Sequence, residues 1–171
     1  RFLSAKHISK NGVLEIEKAP FISTEFAKTL RIGKAKAGDV FLANNATVGP
    51  VAKTPEECDD FIVGTSLTVF RSDNVRLSSD YVFFALQAGD FQIQLFDAMK
   101  QTTRNQVPIT KQRLLSLPIP NFDEQIRIAK YLNEKFPKAF ELMDSLESQL
   151  AEIKRLPASL LREAFAGRLS P

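Results

Sequence analysis

The sequence predicts an α+β fold, a mainly β front domain with short helices followed by a long C-terminal coiled-coil helix. Three observations carry this. Short β-rich apolar runs broken by polar turns occupy Val40 to Phe70, and apolar residues take helical spacing from Tyr81 to Met99. From Leu132 onward, Leu132, Phe136, Ala139, Met143, Leu146, Leu150 and Ile153 recur at alternating steps of four and three, and Leu160 falls one heptad beyond Ile153. A heptad seam needs a second helix to cover it, because each large apolar side chain left in water forgoes about 1.5 to 3 kcal/mol.

In chain order, Val40-Phe41-Leu42-Ala43 and Val48-Gly49-Pro50-Val51-Ala52 read as strands around the polar turn Asn44-Asn45-Ala46-Thr47. Phe61 to Val63 and Leu67 to Phe70 read as a further pair around Gly64-Thr65-Ser66. Ser78, Ser79 and Asp80 can cap a helix containing Tyr81, Val82, Phe84, Ala85 and Leu86, which Gly89 ends. Phe91, Leu95, Ala98 and Met99 suggest a second short helix.

Lys100 to Gln106 contains no apolar residue and reads as an exposed loop. A helical turn opened by Thr110 and the proline-rich Leu117-Pro118-Ile119-Pro120, an edge strand or extended segment, come next. Asp123 can cap the long helix, with Glu124 in its first turn. Pro137 predicts a bend or restart near Phe136, Leu156-Pro157 a second disturbance, and Gly167 a stop. The domain boundary is therefore expected at residues 122/123, giving a front domain of 1–122 and a helical region of 123–171.

Composition narrows the function classes. The chain has 171 residues, enough for one domain and an appended element, and 44% hydrophobic residues is ordinary for a globular protein. Its first residue is Arg1, as in a fragment, and no apolar run approaches the roughly 18 residues of a membrane span. A single cysteine, Cys58, and a single histidine, His7, leave no disulfide framework and no one-chain zinc site, so a reducing cytoplasm fits. Both residues read as packing or surface groups. Residues 1–122 hold 15 Lys+Arg against 12 Asp+Glu, a mild basic bias compatible with a polyanion but also with ordinary solvated charge.

Several motifs fall in one order: Gly38-Asp39 before a strand, the Thr47-Val48-Gly49 turn, the Thr102-Thr103 loop, Pro118-Ile119-Pro120 followed by Glu124-Gln125-x-x-Ile128, and the ending Ala164-Phe165-Ala166-Gly167-Arg168-Leu169. In this the chain resembles the DNA specificity subunit of type I restriction-modification enzymes. That family carries two target-recognition domains and two helical regions, so the resemblance implies half a subunit. It also implies a recognition domain in 1–122 and a helical spacer in 123–171. Phe122 stands where a proline is often seen, a departure from the pattern.

Direct readout of base edges needs bidentate amide and guanidinium groups. Asn44, Asn45 and Thr47 in one loop, and Gln101, Thr102, Thr103, Arg104, Asn105 and Gln106 in the other, supply that chemistry. Lys34, Lys36, Lys53 and Lys100 flank them as phosphate holders. Arg104 is the best single candidate, a charged fork in an otherwise neutral loop. The expected partners are double-stranded DNA, modification (methyltransferase) subunits and through them a restriction subunit, and a second half-subunit or second copy along the seam.

No catalytic residue, metal site or cofactor is expected. The chain has neither an Asn/Asp-Pro-Pro-Tyr/Phe motif for a flipped base nor a glycine-rich loop for a methyl donor. The competing reading is a coiled-coil protein adaptor whose β domain never touches DNA. Salt-dependent DNA binding separates the two.

Overall fold

The computed structural model describes every residue except Lys10, Asp59, Asp60, Thr102, Thr103 and residues 168–171. The chain divides into two compact units, Arg1–Lys130 and Tyr131–Pro171.

The first unit holds two three-stranded sheets. One has the order β1-β5-β2, with β1 (Phe2–Leu3) parallel to β5 (Phe61–Val63) and β2 (Lys34–Ala35) antiparallel to it. The other, all antiparallel, has the order β4-β3-β6, from β3 (Val40–Asn45), β4 (Thr47–Lys53) and β6 (Leu67–Phe70). Helix α1 (Thr24–Thr29) precedes β2, while α2 (Ser79–Gln87), α3 (Gly89–Lys100) and the short α4 (Ile109–Gln112) follow β6.

Strand β3 explains the uninterrupted apolar run at its start. Successive side chains of a strand point to opposite faces, so Phe41 and Ala43 enter one core cluster with Leu3, Ala35, Ala52, Phe61 and Leu67. Val40 and Leu42 enter a second cluster with Val51, Val82, Leu86, Phe91, Leu95 and Val107. All four residues are fully buried. A strand covered on both faces cannot alternate polar and apolar residues.

The structure corrects several local expectations. Phe61–Val63 and Leu67–Phe70 are strands, but they do not pair with each other: Gly64-Thr65-Ser66 carries the chain from one sheet to the other, and β6 pairs with β3. Gly89 opens α3 instead of closing α2; the break falls at Ala88, whose extended ψ of 141° ends the first helix. Of the two readings of Leu117–Pro120, the edge strand falls away, since the segment joins no strand, and the Tyr81 hydroxyl donates to the Pro118 carbonyl at 2.6 Å. Burial pushes the Tyr81 phenol above its ordinary pKa.

The long helix α5 spans Phe122–Phe165. Its cap is Asn121 rather than Asp123: Asn121 Oδ1 accepts from the Glu124 amide at 2.9 Å, which leaves Asp123 and Glu124 in the first turn where the helix dipole favours them. Its first two turns belong to the front unit. Gln125, fully buried, accepts from the Ser78 amide at 2.9 Å and donates to the carbonyls of Pro120 at 2.9 Å and Arg76 at 3.1 Å. The Gln of the Glu124-Gln125 junction thus ties α5 to the start of α2.

The second unit begins with the remainder of α5. The helix does not restart at Phe136; it runs through both Pro137 and Pro157. Gly167, at φ 69°, takes the left-handed conformation beyond its end, as expected of a C-terminal glycine. Along the seam Leu132 and Phe136 are half-buried, and Phe136 meets Phe140 edge-on at 5.7 Å. Ala139 is exposed, and Met143, Leu146, Leu150, Ile153 and Leu160 leave half or more of their surface open.

Candidate nucleic-acid interface

The two polar segments singled out in the sequence meet at one edge of the front unit. Strands β3 and β4 form a hairpin so tight that Asn45 pairs directly with Thr47, and Ala46 between them takes φ 64°. The segment after α3 then docks on this tip. The Ala46 amide donates to the Asn105 carbonyl and the Val107 amide to the Asn44 carbonyl, each at 2.8 Å, while Asn45 and Gln106 form an antiparallel bridge. Val107, 1% exposed, anchors this docking in the second core cluster.

The result is one polar edge made from two distant parts of the chain. Asn45, Thr47, Arg104 and Asn105 are exposed on it, and Gln106 is half-buried. Gln101, also exposed, accepts from Lys111 Nζ at 3.3 Å. Thr102 and Thr103 lie outside the described residues.

Asn44 is placed differently. It lies within β3, at an irregularity in the register between Leu42 and Asn44, and is half-buried. Its Nδ2 donates to Thr68 Oγ1 at 2.6 Å, and its buried Oδ1 has no hydrogen-bond partner among the described residues. Its packing is therefore directed inward.

The four lysines also separate. Lys34 and Lys36 are exposed and form no ion pair among the described residues. Lys53 is half-buried, and its ammonium bonds Asp80 at 2.6 Å and Glu56 at 3.0 Å. Burial pulls its pKa down, but the two carboxylates outweigh burial and hold it above the ordinary value. Lys100 pairs with Asp97 at 2.8 Å. Lys53 and Lys100 thus already have internal counterions.

Two supports under this edge escaped sequence reasoning. Gly49, in β4, takes φ 114°, and a Cβ there would lie 2.9 Å from Gln92 Oε1 and 3.2 Å from the Phe96 ring. The glycine of the Thr47-Val48-Gly49 motif thus lets α3 approach the hairpin, and Gln92 donates to the Gly49 carbonyl at 3.0 Å. The docking of residues 105–107 is backbone to backbone, so no side-chain pattern announces it.

Residues 3–152 match the family model of the type I restriction modification DNA specificity domain. The chain belongs to that family. No curated protein matches. Among solved structures, the specificity domain is similar to a chain from a study of complex assembly and conformational transition in the type I R-M system, with 24% identity and a TM-score of 0.60 over 82% of this chain and 34% of that one. It is also similar to the HsdS subunit from Thermoanaerobacter tengcongensis, with 21% identity and a TM-score of 0.58 over 98% of this chain and 37% of that one. Likeness at this identity speaks to fold, and the α+β fold with its long helix matches that of the HsdS subunit. The specificity domain spans little more than a third of each solved chain. Among the described residues no cluster of His, Cys, Asp or Glu could hold a metal ion, and no helix is long and apolar enough to cross a membrane.

Proposed function

We propose that this chain reads one half of a bipartite double-stranded DNA target as the recognition half of a type I specificity subunit. It does so without chemistry of its own, and methylation and cleavage belong to modification and restriction subunits bound to it. The single observation that carries this reading is the fused polar edge: Asn45 and Thr47 stand exposed on a tight hairpin tip, and Arg104 and Asn105 on the second segment that braces it through backbone hydrogen bonds. Amides and a guanidinium held this way suit the donor and acceptor pattern of the major groove. Bracing matters because recognition groups on ordered backbone lose less freedom on binding.

In this reading α5 is spacer and docking surface. Its open seam, Leu132 through Leu160, takes a second half-subunit or a second copy of the chain, and a rod of 44 residues extends roughly 66 Å. The decisive experiment maps protected and methylated bases for the assembled complex on random-sequence DNA. A two-part motif with a fixed unread gap is the expected result. Absence of sequence-selective DNA binding by the complex overturns the reading.

A further inference from the structure

Residues 26–38 contain four cations, Lys28, Arg31, Lys34 and Lys36, and no acid. All four are exposed. Among the described residues none of them forms an ion pair, whereas Arg1, Lys18, Lys53, Arg71, Arg76, Lys100 and Arg127 all do. Four like charges thus stand within nine residues without an ion-pair partner among the described residues, where they repel one another.

The backbone holds these cations in place. Ser23 caps α1 by accepting from the Phe26 amide at 3.2 Å, and Lys28 lies in the last turn of that helix. Gly33, at φ 86°, then turns the chain onto β5: its carbonyl accepts from the Val63 amide at 2.7 Å, and a Cβ there would sit 2.6 Å from the Val63 carbonyl oxygen. The turn delivers β2 as an edge strand. Ala35 is buried, so Lys34 and Lys36, on either side of it, share the outward face.

Lys28, Lys34 and Lys36 line a recess of about 430 Å³ together with Arg1, and among the described residues no acidic one lines it. The Arg1 guanidinium is held there by Glu17 at 2.9 Å and over the Phe21 ring at 4.1 Å. The same segment reaches the polar edge, because Phe26, Leu30 and Ile32 line a second cleft, of about 780 Å³, together with Asn44, Asn45 and Gln106.

We propose that residues 28–36 are a phosphate grip, a basic segment that seats the DNA backbone beside the polar edge and includes Lys28 and Arg31 as contacts. The grip rests on the DNA-recognition reading. Four cations without an ion pair among the described residues, three of them lining one recess, on a segment that also lines the cleft reaching Asn45 and Gln106, suit a polyanion running past the base-reading edge. Such contacts position the duplex and carry no base preference.

The test compares a K28Q/R31Q complex with a K18Q/R76Q complex, which removes the same charge from residues that already have carboxylate partners. Binding to cognate and scrambled duplexes is measured against salt. Each lost phosphate contact flattens the slope of log K against log salt by about 0.9, so K28Q/R31Q is expected to flatten it by roughly 1.8 and to weaken both duplexes by the same factor. The control keeps the wild-type slope. Equal slopes for the two variants overturn the grip while leaving DNA recognition standing. A wild-type complex without salt-dependent DNA binding overturns both.

Discussion

Arg71 grips Asp39 with two hydrogen bonds, Nε to Oδ1 at 2.7 Å and Nη2 to Oδ2 at 2.6 Å. Asp39 is 1% exposed and also accepts from the Lys36 amide at 2.8 Å, while Arg71 Nη2 reaches on to the Lys34 carbonyl at 3.0 Å. The pair therefore joins the entry of β3, the exit of β6 and residues 34–36 at β2. Its hydrogen bonds to Asp39 hold the Arg71 guanidinium above its ordinary pKa.

Removing Arg71 leaves the buried Asp39 carboxylate only its backbone donor, and because the guanidinium is itself about half exposed the cost falls short of a fully buried pair, at about 1 to 3 kcal/mol. Arg71→Ala is thus expected to destabilise the front unit by that order. Arg71→Lys keeps the charge but loses the two-pronged geometry, and should recover only part of the loss. Urea unfolding followed by circular dichroism measures both. A loss below about 1 kcal/mol for Arg71→Ala, the range of an exposed ion pair, would show that the carboxylate finds another partner.

Gln125 offers a cleaner separation of volume from hydrogen bonding. The side chain is fully buried and uses its acceptor and both amide hydrogens. Gln125→Leu keeps the volume but orphans the Ser78 amide and two carbonyls, and an unsatisfied buried group costs about 1 to 3 kcal/mol. The expected outcome is a loss in that range or above it, with faster amide exchange at Ser78. A neutral Gln125→Leu would reduce the junction motif to packing.

The legible parts of this fold were those with side-chain periodicity. The strands of the β3–β4 hairpin, helices α2 and α3, and the extent of α5 follow from apolar spacing that burial then enforces. The parts that misled were decided by backbone geometry or by distant partners. A fully buried β3 hides its alternation, Ala88 breaks a helix that Gly89 was expected to end, and Asn121 captures the cap from Asp123 because its side chain reaches the Glu124 amide. At the candidate interface the residue types were readable. Their fate was not: Lys53 and Lys100 are drawn into ion pairs by Asp80, Glu56 and Asp97, and Asn44 turns toward Thr68. That Lys28 and Arg31 have no ion-pair partner among the described residues, while Arg1, Lys18 and Arg71 do, is decided by the fold and not by composition.

His7 gives the front unit a pH response of definite sign. It is 4% exposed, and its Nδ1 accepts from the Ser4 amide at 3.0 Å, which requires that nitrogen unprotonated. Burial, reinforced by neighbouring Lys6, lowers its pKa below 6.5. The unfolded chain therefore takes up a proton on this ring before the folded one does. Stability from this source is intact above 6.5, falls as pH drops below that value, and levels off beneath the lowered native pKa. Because His7 is the only histidine, a single imidazole resonance reports its titration. The expected midpoint lies below 6.5, and a midpoint above it would contradict the buried neutral ring.

The spacer reading makes the most demanding prediction, because helix geometry fixes its size. Deleting the seven residues 144–150 removes one heptad from α5 and keeps the seam on one face, since Met143 and Ile153 stay in phase. Seven residues at 1.5 Å each shorten the rod by about 10.5 Å, equivalent to about three base pairs at roughly 3.4 Å each. The preferred gap between half-sites should shrink by about that amount per deleted heptad while the bases read in each half stay the same, which selection from random-sequence DNA measures directly. Leu146→Lys with Leu150→Lys attacks the same seam differently: it places charge where a partner helix must pack, and should abolish the two-part motif while the front unit keeps its unfolding midpoint. A gap indifferent to the deletion would separate α5 from the measurement of distance, and would leave its exposed seam to docking alone.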